Sequence, residues 1–169
     1  MKSDFLHSFA KELDRVNSDD IIALSNAVLN HKKIIIIGNG GSNSIASHIS
    51  QDYTKFLKRQ AISFSDPSRL TCYINDFGMD DAYKIFLEQF SDKDTLAILI
   101  SSSGNSTNIY NCCMHCRVEG IPYITLTGFD ANNRVRSSFG SSAVVDFWVD
   151  SNSFGIVECL HQVILHAIL

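Results

Sequence analysis

Two short runs of polar side chains sit inside apolar helical patterns, and their residue types could do chemistry. In residues 44–58, His48 and Asp52 stand four apart, at the edge of an apolar arc made by Ile45, Ile49, Tyr53, Phe56 and Leu57. Near the end of the chain, "IVECLHQVILHAIL" (156–169) places Glu158, Gln162 and His166 at four-residue steps in one narrow stripe bordered by apolar residues. A solvated helix face would be wide and mixed in charge, so this stripe predicts a helix buried in a core or a subunit interface. Buried acids and imidazoles need partners; a metal ion or a bound polyol would each supply one. Two histidines and two carboxylates, His48, Asp52, Glu158 and His166, suit a borderline cation such as Zn²⁺. His161 lies off the stripe and reads as structural or supporting.

Two loops carry a different chemistry. "IIIIGNGGSNSIASH" (34–48) runs from four isoleucines into a glycine turn, Gly38-Asn39-Gly40-Gly41-Ser42. Asn43 breaks the dinucleotide fingerprint, and no Gly-Lys-Ser/Thr follows, so nicotinamide and nucleoside triphosphate sites are disfavoured. A strand, a glycine turn and a helix start remain, with free N–H groups that could face an anion or a sugar oxygen. "SSSGNST" (101–107) offers five hydroxyls in seven residues, with Gly104 permitting a tight turn and Asn105 or Ser106 able to cap the next helix. Those hydroxyls and helix-start amides match the acceptor oxygens of a phosphate monoester without needing a lysine.

The elements that must position these residues follow from the apolar pattern. Residues 4–29 read as helical. The run at 34–37, "TLAILIS" (95–101), "YITLTG" (123–128) and "AVVDFWV" (143–149) read as strands covered on both faces, and "LTCYI" (70–74) as a weaker one. Between them, 43–58, 79–91, 106–119 and 155–169 are helix-compatible. Strands alternating with helices predict a doubly wound parallel α/β sheet, a three-layer flavodoxin-like sandwich, with ligands bound beyond the carboxyl ends of the strands. Both loops lie at such ends.

The totals limit the alternatives. The chain has 169 residues, 45% of them hydrophobic and 19% charged, which suits one domain with a real core and argues against disorder. No repeat or linker divides it. A net charge of −4 argues against a nucleic-acid binder. No apolar run is long enough for a membrane span, and the N-terminus lacks a signal-peptide pattern, so a soluble cytoplasmic protein is expected. Cys113 and Cys116 form a CxxC beside Cys112, but no second pair completes four zinc ligands; buried helical thiols are the expectation.

Taken together these motifs resemble the SIS (sugar isomerase) domain family, most closely its phosphoheptose isomerase branch, from about residue 30 to the end. Four matches occur in order: "GNGGS" followed by His48, "TCYINDFGMD" (71–80), "SSSGNS" (101–106), and His166 in the last helix. The Asn-Asp-Phe-Gly segment selects the branch. The resemblance implies that Asn39, Gly40, Gly41 and Ser42 line the sugar, Asn75 and Asp76 bind its hydroxyls, and Ser101, Ser102, Ser103 and Ser106 hold its phosphate. It places His48, Asp52, Glu158 and His166 at the metal and catalytic positions, with Asp52 and His166 as the acid/base pair and Glu158 also within reach of substrate. It further implies one Zn²⁺ per subunit, a homotetramer to which residues 1–29 contribute, and an aldose–ketose isomerisation of sedoheptulose 7-phosphate for surface-polysaccharide heptose. The chain departs from the branch at Asp52 (Glu there), Glu158 (Gln there), Cys159 (Glu there) and Ile156 (commonly Arg there). A non-catalytic sugar-phosphate-binding or protein-binding SIS module, or an isomerase of another ketose phosphate, stays open at this point.

Overall fold

The computed structural model describes residues 2–169, and side chains from Asp4 onward. Met1, the first residue of the expected N-terminal helical segment, lies outside the described residues. In chain order these form α1 (Lys2–Leu13), α2 (Ser18–Asn30), β1 (Lys33–Gly38), α3 (Gly41–Leu57), β2 (Gln60–Ser63), α4 (Pro67–Phe90), β3 (Thr95–Ser101), α5 (Thr107–Glu119), β4 (Tyr123–Gly128), α6 (Arg134–Phe139), β5 (Val145–Val149) and α7 (Phe154–His166). All strand pairs are parallel, in the order β2-β1-β3-β4-β5. The connection order therefore reverses between β1 and β3, and Gly38 at the end of β1 pairs in register with Ile100 of β3.

Each face of the sheet has its own core. Ile34, Ile36, Leu96, Ile98 and Ile100 pack against α2, α3 and α7. Their sequence neighbours Ile35, Ile37, Ala97 and Leu99 point the other way, onto α4, α5 and α6. Burial on both faces explains why β1, β3 and β4 read as continuous apolar runs. Helix α1 docks on α7, where Phe9 joins Val157 and Leu160. Its buried Glu12 accepts from the Asp150 backbone N–H and pairs with Arg15, which also reaches Asp150.

Two expectations need correction. Residues 4–29 are two helices, because Asn17 caps a fresh start by accepting from the Asp19 N–H at 2.9 Å. "LTCYI" is helix: Asp66 accepts from the Arg69 N–H and Pro67 stands at the first helical position, so α4 begins before this segment. Leu70, Tyr73 and Ile74 then pack on the core at helical spacing. The second strand is instead β2, a four-residue edge strand without a distinctive apolar run. The short α6 carries no such run and was also outside the expected set. Among the described residues, no helix is long and apolar enough to cross a membrane.

Candidate active site

The two ligand-type loops meet at the β1/β3 switch. Asn39 of the glycine loop and Asn108 at the start of α5 donate their side-chain amides to each other's carbonyl oxygens, both at 2.9 Å. Ser42, in the first turn of α3, lies 3.4 Å from Ser102. Ser101 donates to Ser106 at 3.3 Å, and Ser103 accepts from the Asn105 N–H. Ser42, Ser101 and Ser102 are buried, whereas Ser103 and Ser106 are half-buried. Gly104 has φ +65, and a Cβ there would lie 2.0 Å from the Asn133 side chain. Asn133 was not foreseen as part of this assembly. It caps α6 and packs under the turn, while the Val135 N–H donates to the Gly104 carbonyl. The turn is thus held from below by the loop after β4.

Further down the same flank, α3 and α7 run side by side. Tyr53 of α3 donates to the Leu165 carbonyl of α7 at 2.8 Å, locking their register. This brings His48, Asp52 and His166 together, with the Asp52 Oδ2 atom 3.3 Å from His48 Nε2 and 3.2 Å from His166 Nε2. The two rings lie 5.2 Å apart. One donor atom from each residue falls within 4.8 Å of the others, a grouping that could hold a metal ion.

The donor chemistry fits a cation. The Gln162 carbonyl sits 2.9 Å from His166 Nδ1 and can only accept, so Nδ1 carries a proton. In the neutral ring Nε2 is then a lone pair, and it faces the Asp52 carboxylate. A cation between these two acceptors would hold them together. The carbonyl-to-imidazole contact also fixes the tautomer that a metal-ligating histidine needs.

Glu158 does not join this group. It lies two turns before His166 on α7, and its carboxylate sits against Gly41, where a Cβ would approach Oε2 to 2.3 Å. Among the described residues the group that comes together has three members, and Glu158, the fourth of the expected set, stands about 12 Å along the helix from His166. There it borders the glycine turn and the first turn of α3. Asn39, in the glycine turn, has its side-chain amide paired with Asn108. Gly40, at φ +52, and Gly41 are exposed at the turn. Asn75 and Asp76 are exposed on the first half of α4, hydrogen-bonded to each other at 2.9 Å and ahead of the break at Gly78. The structure does not place them beside the His48–Asp52–His166 group.

His161 is fully buried and donates Nε2–H to the Thr127 carbonyl at 3.1 Å, which makes it a core residue. Burial holds its pKa down to about 4. Cys112, Cys113 and Cys116 are buried free thiols, as the pattern of α5 predicts, and burial pushes Cys116 up to about 12.

A doubly wound α/β sheet with a glycine turn and a serine turn facing each other at its switch point agrees with the resemblance to the sugar isomerase domain family. The family model described as SIS domain matches residues 4–128. A curated phosphoheptose isomerase of Fusobacterium nucleatum is 30% identical over 98% of this chain and 87% of its own. One from Pectobacterium atrosepticum is 31% identical over 99% and 93%. The chain belongs to the SIS domain family, in its phosphoheptose isomerase branch. Among solved structures, the phosphoheptose isomerase GmhA of Neisseria gonorrhoeae shares the fold with a TM-score of 0.89 at 23% identity, over 99% of this chain and 93% of that one. A phosphoheptose isomerase from Francisella tularensis follows with a TM-score of 0.84 at 20% identity, over 99% and 93%.

Proposed function

We infer that this protein is an aldose–ketose isomerase that converts sedoheptulose 7-phosphate into D-glycero-D-manno-heptose 7-phosphate, a precursor of surface-polysaccharide heptose. The observation that carries this reading is the convergence of His48, Asp52 and His166 on one flank, in a chain whose relatives are phosphoheptose isomerases. The spacing agrees with a substrate of that length. From the first turn of α3, beside Ser102, to His48 and Asp52 is about 10–16 Å along the helix. An extended sugar phosphate reaches the near end of that range, with its phosphate on Ser101, Ser102, Ser103 and Ser106 and its C1–C2 end toward the cluster. Gly40, Gly41, Ser42 and Glu158 line the stretch between.

The chemistry moves one carbon-bound proton. Both imidazoles contact the same oxygen of Asp52, and we assign the other oxygen to the C1 proton of the ketose. As that proton leaves, the C1–H electrons form the C1=C2 bond and the C2 carbonyl oxygen takes the charge, giving an enediol(ate). Return of the proton to C2 and loss of the O1 hydroxyl proton, with O2 protonated, yield the aldose. His166, with Nδ1 fixed by Gln162, presents Nε2 either to pass the proton between O1 and O2 or to hold a cation. His48, Asp52 and His166 would hold Zn²⁺, whose Lewis acidity polarises a sugar carbonyl when it is bound. Binding energy at the serine loop orients the reacting end. We assign Asn75 and Asp76 to substrate hydroxyls approached from a neighbouring copy. The exposed Phe5, Leu6, Ile22 and Phe154 favour a homotetramer of single-domain chains in which residues 1–29 contribute contacts.

The test is direct. Sedoheptulose 7-phosphate is incubated with the protein, and aldose formation is followed by NMR with and without a chelator. Turnover that falls on chelation and returns with Zn²⁺ is expected. Binding without turnover, in metal-loaded protein, would replace this reading with a non-catalytic sugar-phosphate-binding module.

A further inference from the structure

We propose that the reciprocal amide pair between Asn39 and Asn108 is a positioning element that fixes the spacing between the phosphate-gripping end and the reacting end of the site. This rests on the isomerase reading for the identity of the ends, though the tie itself stands on geometry. Asn39 follows β1, and Asn108 stands in the first turn of α5, after β3, 69 residues later. The pair spans the switch point and closes a ring of two hydrogen bonds, each 2.9 Å. Asn108 is 4% exposed, and its oxygen also accepts from the Ile109 N–H. Each amide oxygen and nitrogen is thus engaged within the protein, and the pair braces the loops.

The need for a brace follows from the backbone on either side. The glycine loop turns through Gly40 at φ +52, and the serine loop turns through Gly104 at φ +65. Loops built on glycine give up more conformational freedom on ordering and return it easily. The serine loop is tied to the loop after β4 through Gly104, Asn133 and Val135. Toward α3 its ties are the amide ring and the long Ser42–Ser102 contact. Because α3 carries His48 and Asp52, the ring sets the register between a phosphate on one loop and a carbonyl at the cluster. Misplacement by about 1 Å can cost about a hundredfold in rate, so this register bears on which chain length fits.

Calorimetric titration of the full chain separates a positioning role from a merely structural one. Inorganic phosphate probes the serine loop alone, and sedoheptulose 7-phosphate probes both ends. Asn39→Ala and Asn108→Ala break the ring from opposite loops, so one remains informative if the other fails to fold. Each is expected to weaken sugar-phosphate binding about tenfold, the double variant no further, while phosphate affinity stays within about twofold of wild type. Equal loss for both ligands, an unchanged sugar-phosphate affinity, or losses that multiply in the double variant would overturn the proposal. Wild-type protein that binds both ligands without isomerising would remove the isomerase reading and leave the brace standing. Wild-type protein that binds neither would remove both.

Discussion

His161 and His166 sit on the same helix and show how position decides what an imidazole does. His166 is 34% exposed and faces a carboxylate, whereas His161 is fully buried against the Thr127 carbonyl. Burial lowers the His161 pKa to about 4 from an ordinary 6.5. The unfolded chain therefore binds the proton more readily than the folded one. The stability contribution is complete above pH 6.5 and is lost as pH falls toward 4. Its slope approaches about 1.4 kcal/mol per pH unit across that window. Urea unfolding at pH 7, 6 and 5 should show this decline in wild type and a shallower one in His161→Gln; equal slopes would contradict it. The sequence set these two histidines apart by their place on or off the polar stripe, and His161, off it, is a core residue. It could not show that Glu158, on the stripe, ends beside Gly41 and away from His166. Four-residue periodicity gives a shared face, and the distance along that face is settled by what each turn meets.

Among the elements, legibility followed burial. β1, β3 and β4 are covered on both faces and so announce themselves as unbroken apolar runs. β2 is a half-buried edge of four residues, and α4 was obscured because its start is written in Asp66–Pro67, ahead of the apolar residues it carries. The serine turn was legible as a turn. Its bracing was not, because Asn133 packs under it and Asn108 pairs with Asn39 through tertiary contacts that have no periodic signature. The turn makes a prediction of its own. Gly104→Ala places a side chain at positive φ, 2.0 Å from Asn133, whose position is fixed by its cap of α6. Strain of about 1–3 kcal/mol is expected, read as a drop of roughly 2–12 °C in Tm. A variant with wild-type Tm would show that the turn relaxes freely. By contrast the nearest atoms that Gly41→Ala would meet are the carboxylate end of the long Glu158 side chain, so it should move that carboxylate with little change in Tm.

For the whole molecule, the site and the surface point the same way. Asn75 and Asp76 are solvent-facing on α4, while α1, α2 and α7 leave Phe5, Leu6, Ile22 and Phe154 exposed. Leu6 is 66% exposed, an arrangement that association would relieve. Light scattering on a sizing column should give a mass of about four chains, well above the 18.8 kDa of one. Leu6→Glu should shift the mass downward and lower isomerase activity with it. A wild-type mass of a single chain would contradict the assembly.

The central claim is that three side chains from two helices move a proton on a sugar held elsewhere by hydroxyls. The most direct measurement is the turnover of sedoheptulose 7-phosphate by His166→Ala, whose side chain is partly exposed and supports no core. Unchanged Tm, retained phosphate binding and loss of turnover by about a thousandfold or more are the outcome predicted for an acid/base or metal-holding group. Turnover by the folded variant at the wild-type rate would contradict the account.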